Sequence, residues 1–87
     1  MTIINNFFDK IEEVLLAEPS DADWELFNGL EDYFIENNEM IFNENERVSD
    51  LGYEMQDIIS EMGYMDDFSE CREKIIEIFN KMKKEYN

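Results

Sequence analysis

The sequence predicts an all-α fold: a small antiparallel four-helix bundle that occupies residues 1–87 as a single domain. Three observations support this. Apolar residues recur at spacings of three and four in four separate stretches, as they do on a helix with one buried face. No stretch alternates apolar and polar residues with a period of two, and Asn28-Gly29, which would suit a hairpin turn, falls inside a helical stretch. Three Gly and one Pro leave few breaks in 87 residues. Short connections follow, and they make sequence neighbours antiparallel.

The first helix is traced by Ile4, Phe7, Phe8, Ile11, Val14 and Leu15, and Pro19 stops it. Ser20 opens the second, with Asp23 as a capping-box-like partner and Asp21 suited to the positive end of the helix dipole. Trp24, Phe27, Leu30, Phe34 and Ile35 trace its buried face to about Glu36. Asn37-Asn38 is expected to break it, leaving Met40-Ile41-Phe42 as a short apolar connector or an extra turn. Val48, Leu51, Met55, Ile58, Ile59 and Met62 trace the third helix, which Gly63 ends. Gly52 inside it costs about 1 kcal/mol relative to Ala, which points to a close helix crossing or to a later start near Ser49. The fourth opens at Asp66 or Asp67, with Asp67-x-x-Glu70 as a second capping box. Its stripe is Phe68, Cys71, Ile75, Ile78, Phe79 and Met82, and Lys81, Lys83 and Lys84 suit the carbonyl end of its dipole.

Charge is distributed unevenly along this pattern. Ile11 to Cys71 carries nineteen Asp/Glu and one base, Arg47, whereas residues 72–87 carry five bases and three acids. The whole chain has a formal charge of −16. Mixed charge would keep a bundle soluble without this self-repulsion, so a field of one sign points to steering of a cationic partner. High charge can also leave a chain unfolded; here 44 % hydrophobic and 14 % aromatic residues supply a core. Cys71 is the sole cysteine, which excludes an intramolecular disulfide and suits a reducing compartment. The N-terminal segment has no basic region or long apolar run, and no stretch approaches the length of a membrane span. A cytoplasmic protein without membrane contact is expected.

Residue types argue against catalysis. The chain has no His, and so lacks the usual base near neutral pH and the commonest metal ligand. Cys71 falls on an apolar stripe, and the carboxylates form no recognisable acid–base pair. Asp21-x-Asp23-x-Glu25 echoes a calcium loop, but Leu26 stands where the turn needs Gly. Val48-Ser49-Asp50-Leu51 inverts the Asp-Ser-Leu order of an acyl carrier protein, so Ser49 reads as a helix-start or solvent-facing residue. The expectation is a non-enzyme without metal or cofactor.

Binding is the remaining role. Tyr33, Tyr53, Tyr64, Met65 and Trp24 fall off or at the edge of the apolar stripes, and tyrosine is a frequent interface anchor. Tyr53, with Asp50, Glu54, Asp57 and Glu61 along the same helix, is the first candidate contact. The turn carrying Tyr64, Asp66 and Asp67 is the second. Leu51-Gly52-Tyr53-Glu54-Met55-Gln56-Asp57-Ile58-Ile59, the acidic turn at Asp66-Asp67 and Phe68-Ser69-Glu70-Cys71-Arg72-Glu73-Lys74-Ile75 resemble the colicin-D-type and related tRNase-immunity pattern, over roughly residues 48–84. These are small acidic helical bacterial immunity proteins that act on nuclease toxins of the colicin or contact-dependent-inhibition kind. The resemblance implies a cytoplasmic antidote, monomeric in the complex, that binds a basic nuclease toxin domain and covers its active site or substrate groove. It implies no direct contact with nucleic acid. A phage anti-defence protein that mimics DNA would share the electrostatics, and a self-associating helical module is a third class.

Overall fold

The computed structural model describes residues 2–17, 23–62 and 68–86. Pro19, Ser20, Asp21, Gly63, Tyr64, Met65, Asp66 and Asp67 lie outside the described residues, as do the side chains of Asp23, Trp24 and Phe68. Four helices account for nearly all of the rest: α1 (Ile3–Leu16), α2 (Asp23–Glu44), α3 (Glu46–Glu61) and α4 (Phe68–Tyr86). Residue pairs across the interfaces run in opposite directions. Phe7 meets Phe34 while Ile4 meets Glu44, and Asn38 meets Tyr53 while Glu31 meets Ser60. Thr2 meets Tyr86 while Val14 meets Arg72. The chain is an up-down-up-down bundle in which α1 closes onto α4, leaving α2 diagonal to α4. Its radius of gyration is 12.2 Å, close to the value of about 12 Å expected for a folded chain of this length.

Local chemistry fixes the helix ends. Thr2 caps α1 by accepting from the Asn5 amide at 3.1 Å. The Glu44 carboxylate accepts from the Ile4 amide at 3.2 Å, which puts a negative charge at the amino end of α1. Asn45 alone separates α2 from α3, and its side chain accepts from the amides of Arg47 and Val48 at 3.0 and 3.2 Å. So tight a connection forces α2 and α3 to lie side by side. At the other end of the bundle, Arg72 is buried and donates to the Val14 and Leu15 carbonyls at 3.4 and 3.3 Å. Its guanidinium also lies 5.5 Å from the centre of the Phe27 ring. A cation on the last carbonyls of α1 suits the negative end of that dipole.

Two expectations are corrected. Asn37-Asn38 does not break the second helix, which continues unbroken to Glu44. Asn37 turns its amide back onto the Tyr33 carbonyl at 2.8 Å, and Ile41 is fully buried one turn further on. Met40 and Phe42 flank it on the exposed surface, so the three form a helical turn and not a connector. The third helix starts at Glu46 and not near Ser49, because Asn45 takes the cap. Ser49 is accordingly buried inside α3, and its Oγ has no hydrogen-bond partner.

Among the described residues, seventeen buried apolar side chains form one core, drawn from all four helices. The expected stripe of α1 is found there, with Phe8 and Leu15 partly covered, and so are Cys71, Ile75, Ile78, Phe79 and Met82 of the α4 stripe. Gly52 marks a close helix crossing. A Cβ there would sit against Cε1 of Phe34, with Cζ at 2.7 Å and Cδ1 at 2.9 Å. The Phe34 ring lies on the backbone of α3 and stacks on Phe7 at 5.6 Å. Among the described residues, no helix is long and apolar enough to cross a membrane.

The two helical glycines with described surroundings provide a paired test. Gly29 has nothing within 4 Å of a built Cβ, so Gly29→Ala is expected to stabilise by about 0.5–1 kcal/mol. Gly52→Ala gains the same propensity but overpacks the Phe34 ring at a cost of about 1–3 kcal/mol. Its melting temperature should therefore fall while that of Gly29→Ala rises. Equal shifts of the same sign would contradict the crossing.

Burial raises the Tyr33 pKa above its ordinary value. The folded state then holds a proton that the unfolded state releases, so this contribution to stability is lost as pH climbs through the folded pKa. In an ultraviolet titration, part of the phenolate signal should appear only above about pH 10. That part should be missing in Tyr33→Phe, and an unchanged titration curve would contradict the assignment.

Candidate protein-binding surface

The acidic side of the bundle is set by which helices are neighbours. α2 carries seven carboxylates and no base, and α3 carries five and Arg47. α4 carries five bases against four acids. α2 stands diagonal to α4; of the α4 bases Arg72 reaches it, over the Phe27 ring, whereas Lys74 and Lys81 face α3. The bundle is therefore polarised from an acidic α2 corner to a mildly basic α4 corner, and α2 with α3 forms one continuous acid-rich face.

The centre of that face is the α2/α3 seam. Tyr53 sets its edge on the buried Phe34 ring, with centroids 5.1 Å apart and ring planes at 88°. Its hydroxyl accepts from the Asn38 amide at 3.3 Å. Both ends of the side chain are thus held, while 48 % of the residue remains exposed. On α2, Ile35 is 46 % exposed and Phe42 49 % exposed. Seven residues separate them, a rise of about 10 Å along one side of the helix. Asn38, which holds Tyr53, lies between them, so the three apolar side chains form a strip. Glu31 closes the seam further along by accepting from Ser60 Oγ at 2.7 Å.

Carboxylates border the strip on both sides. Asp32 precedes Ile35 by three residues, and Glu39 follows it by four and precedes Phe42 by three. Asp50 and Asp57 bear the same relation to Tyr53 on α3. Residues at these spacings are side-by-side neighbours on a helix surface, and all four are exposed.

The predicted contact residues therefore do not form one cluster. Tyr53 faces α2. Asp50 and Asp57 stand on the crest of α3, while Glu54 and Glu61 turn toward α4. There they line two clefts of about 340 and 350 Å³. Asp50, Leu51, Glu54 and Glu85 share the first with Arg47 and Lys81. Asp57 and Glu61 share the second with Glu54, Glu77, Lys74 and Lys81. Arg47 Nε lies 3.8 Å from Glu85 Oε2 and Lys74 Nζ 3.4 Å from Glu70 Oε1. This groove partly neutralises itself. Tyr64, Asp66 and Asp67 lie outside the described residues.

Two members of the strip were hidden in the sequence. Ile35 reads as part of the buried face, and Phe42 as part of a connector. Their signal is a shared offset: both lie one residue past a fully buried position, Phe34 and Ile41. Once the helix is known to be continuous, this puts both on the same flank.

Protein families, curated proteins and solved structures offer no match to this chain. Cys71 is buried on the α4 stripe. Among the described residues, no group of three His, Cys, Asp or Glu side chains is arranged to hold a metal ion. A half-exposed apolar strip between rows of carboxylates has the plan of a protein interface, with an apolar centre and a polar rim.

Proposed function

We propose that this chain is a cytoplasmic inhibitor that binds a basic nuclease toxin domain as a monomer and blocks its active site or substrate groove. The observation that carries the reading is α2, with seven carboxylates and no base, continuous with the acidic crest of α3. Such a field raises association with a cationic partner by roughly 10- to 1000-fold at low salt. Inhibition follows by competition, since the carboxylates occupy the Lys/Arg positions that otherwise hold nucleic-acid phosphates. No reaction on the inhibitor is required. The resemblance of residues 48–84 to tRNase-immunity proteins supports a nuclease as the partner.

The test is affinity capture from the native cell, followed by assay of the captured protein. The expected partner is a basic nuclease, silenced by stoichiometric addition of this chain. Its association rate should fall steeply with salt, and further in Asp57→Lys. A captured nuclease that stays active when saturated would overturn the reading, as would a rate flat in salt. Capture of a DNA-binding defence complex in place of a nuclease would also overturn it.

A further inference from the structure

Long-range attraction brings a cation to this bundle but leaves it hydrated. Tight binding needs a centre from which water is expelled. The acid-rich side offers two regions for such a centre. The α3/α4 groove holds Arg47, Lys74 and Lys81 among its carboxylates, so a cationic partner there would meet like charge. The α2/α3 seam shares the Asp50 and Asp57 rim with that groove but is apolar along its centre. Ile35, Phe42 and Tyr53 are about half exposed, α2 supplies no base, and Arg47 lies on the α4 side of α3.

We infer that the α2/α3 seam is the docking site for a cationic amphipathic helix of the partner protein. Apolar side chains of that helix seat on Ile35, Phe42 and Tyr53. Its Lys and Arg residues straddle the strip, meeting Asp32 and Glu39 on one side and Asp50 and Asp57 on the other. The inference rests on the reading of this chain as a binder of a basic protein, and names where and by what it is held.

Three features carry it. The first is spacing: Ile35 and Phe42 stand two helical turns apart, with Tyr53 between them. Apolar residues at i, i+3 or i+4, and i+7 of a partner helix repeat that rise. The second is charge, because rows of carboxylates on both sides select a helix that is basic on both flanks of its apolar stripe. The third is preorganisation. Tyr53 is already fixed by Phe34 and Asn38, so little side-chain freedom is lost on binding.

The probe is a labelled synthetic helical peptide with Leu on one face and Lys elsewhere. A peptide of the same composition, scrambled to destroy the apolar face, is the control. Anisotropy titrations against the full-length chain are run at physiological ionic strength, with circular dichroism melts confirming that each variant folds. The amphipathic peptide is expected to bind about tenfold more tightly than the scrambled one. Ile35→Ser and Phe42→Ser alter half-exposed side chains, and each should remove most of that preference. Asp32→Lys with Glu39→Lys should weaken binding about tenfold, whereas Glu73→Lys with Glu77→Lys on α4, an equal change of net charge, should weaken it by no more than about threefold.

Equal binding of the two peptides would overturn the inference, as would equal losses from the two charge pairs. A concentration-dependent mass of the chain alone, abolished by Phe42→Ser, would assign the seam to a second copy and also overturn it. A captured nuclease inhibited equally by wild type and Phe42→Ser would overturn the seam alone. Peptide binding at the seam with no nuclease inhibited by the chain would uphold the seam and overturn the inhibitor reading.

Discussion

Phe34 resting on the α3 backbone at Gly52 is the contact on which the rest of the molecule depends. No side chain at residue 52 keeps the ring away, so the ring fills the space between α2 and α3 and still reaches Phe7 on α1. Tyr53 then has a buried ring to stand on, and its hydroxyl arrives at Asn38. The one-residue turn at Asn45 imposes the same proximity at the end of the two helices. A glycine with poor helix propensity is thus tied directly to the geometry of the exposed strip.

Electrostatics follow from that packing order. Once α2 pairs with α3 and α1 with α4, the most acidic helix stands diagonal to the only one with more bases than acids. On α2, Glu25, Asp32, Glu36 and Glu39 are exposed to solvent. The self-repulsion is offset by one shared core and by end contacts that use charge locally. Glu44 serves the amino end of α1, and Arg72 its carbonyl end. Individually each is worth about 1–3 kcal/mol at most. Together they hold the termini of a bundle too small to have much core to spare.

The sequence made the fold class legible because two of its signals are strong. The α1 and α4 stripes repeat without interruption, and spacing alone marks the α1 stripe and Cys71, Ile75, Ile78, Phe79 and Met82 of α4 as core. The second helix hides its continuity at Asn37-Asn38, since its core-facing line runs from Phe34 through Asn37 to Ile41. A polar residue on that line looks like a stop until its amide is seen bonding back to Tyr33. The site was only half legible for a related reason. Tyr53 stood out as an edge tyrosine, but its neighbours in sequence, Asp50, Glu54 and Asp57, face outward or toward α4. Its partners in space, Phe34 and Asn38, come from another helix. Arg72 carried no signal: an arginine on a helix pattern reads as surface, and only the packing of α4 on α1 turns it inward.

What unites these features is a division of labour between charge and shape. In the proposed complex, carboxylates on α2 and on the crest of α3 act at a distance, and the strip of Ile35, Phe42 and Tyr53 acts on contact. A footprint of the bound chain tests that division most directly, by amide hydrogen exchange with and without its captured partner. The account predicts slowed exchange along α2 and α3 around Ile35, Phe42 and Tyr53, with α4 unaltered. Protection confined to α1 and α4, leaving the α2/α3 seam open to solvent, would contradict it.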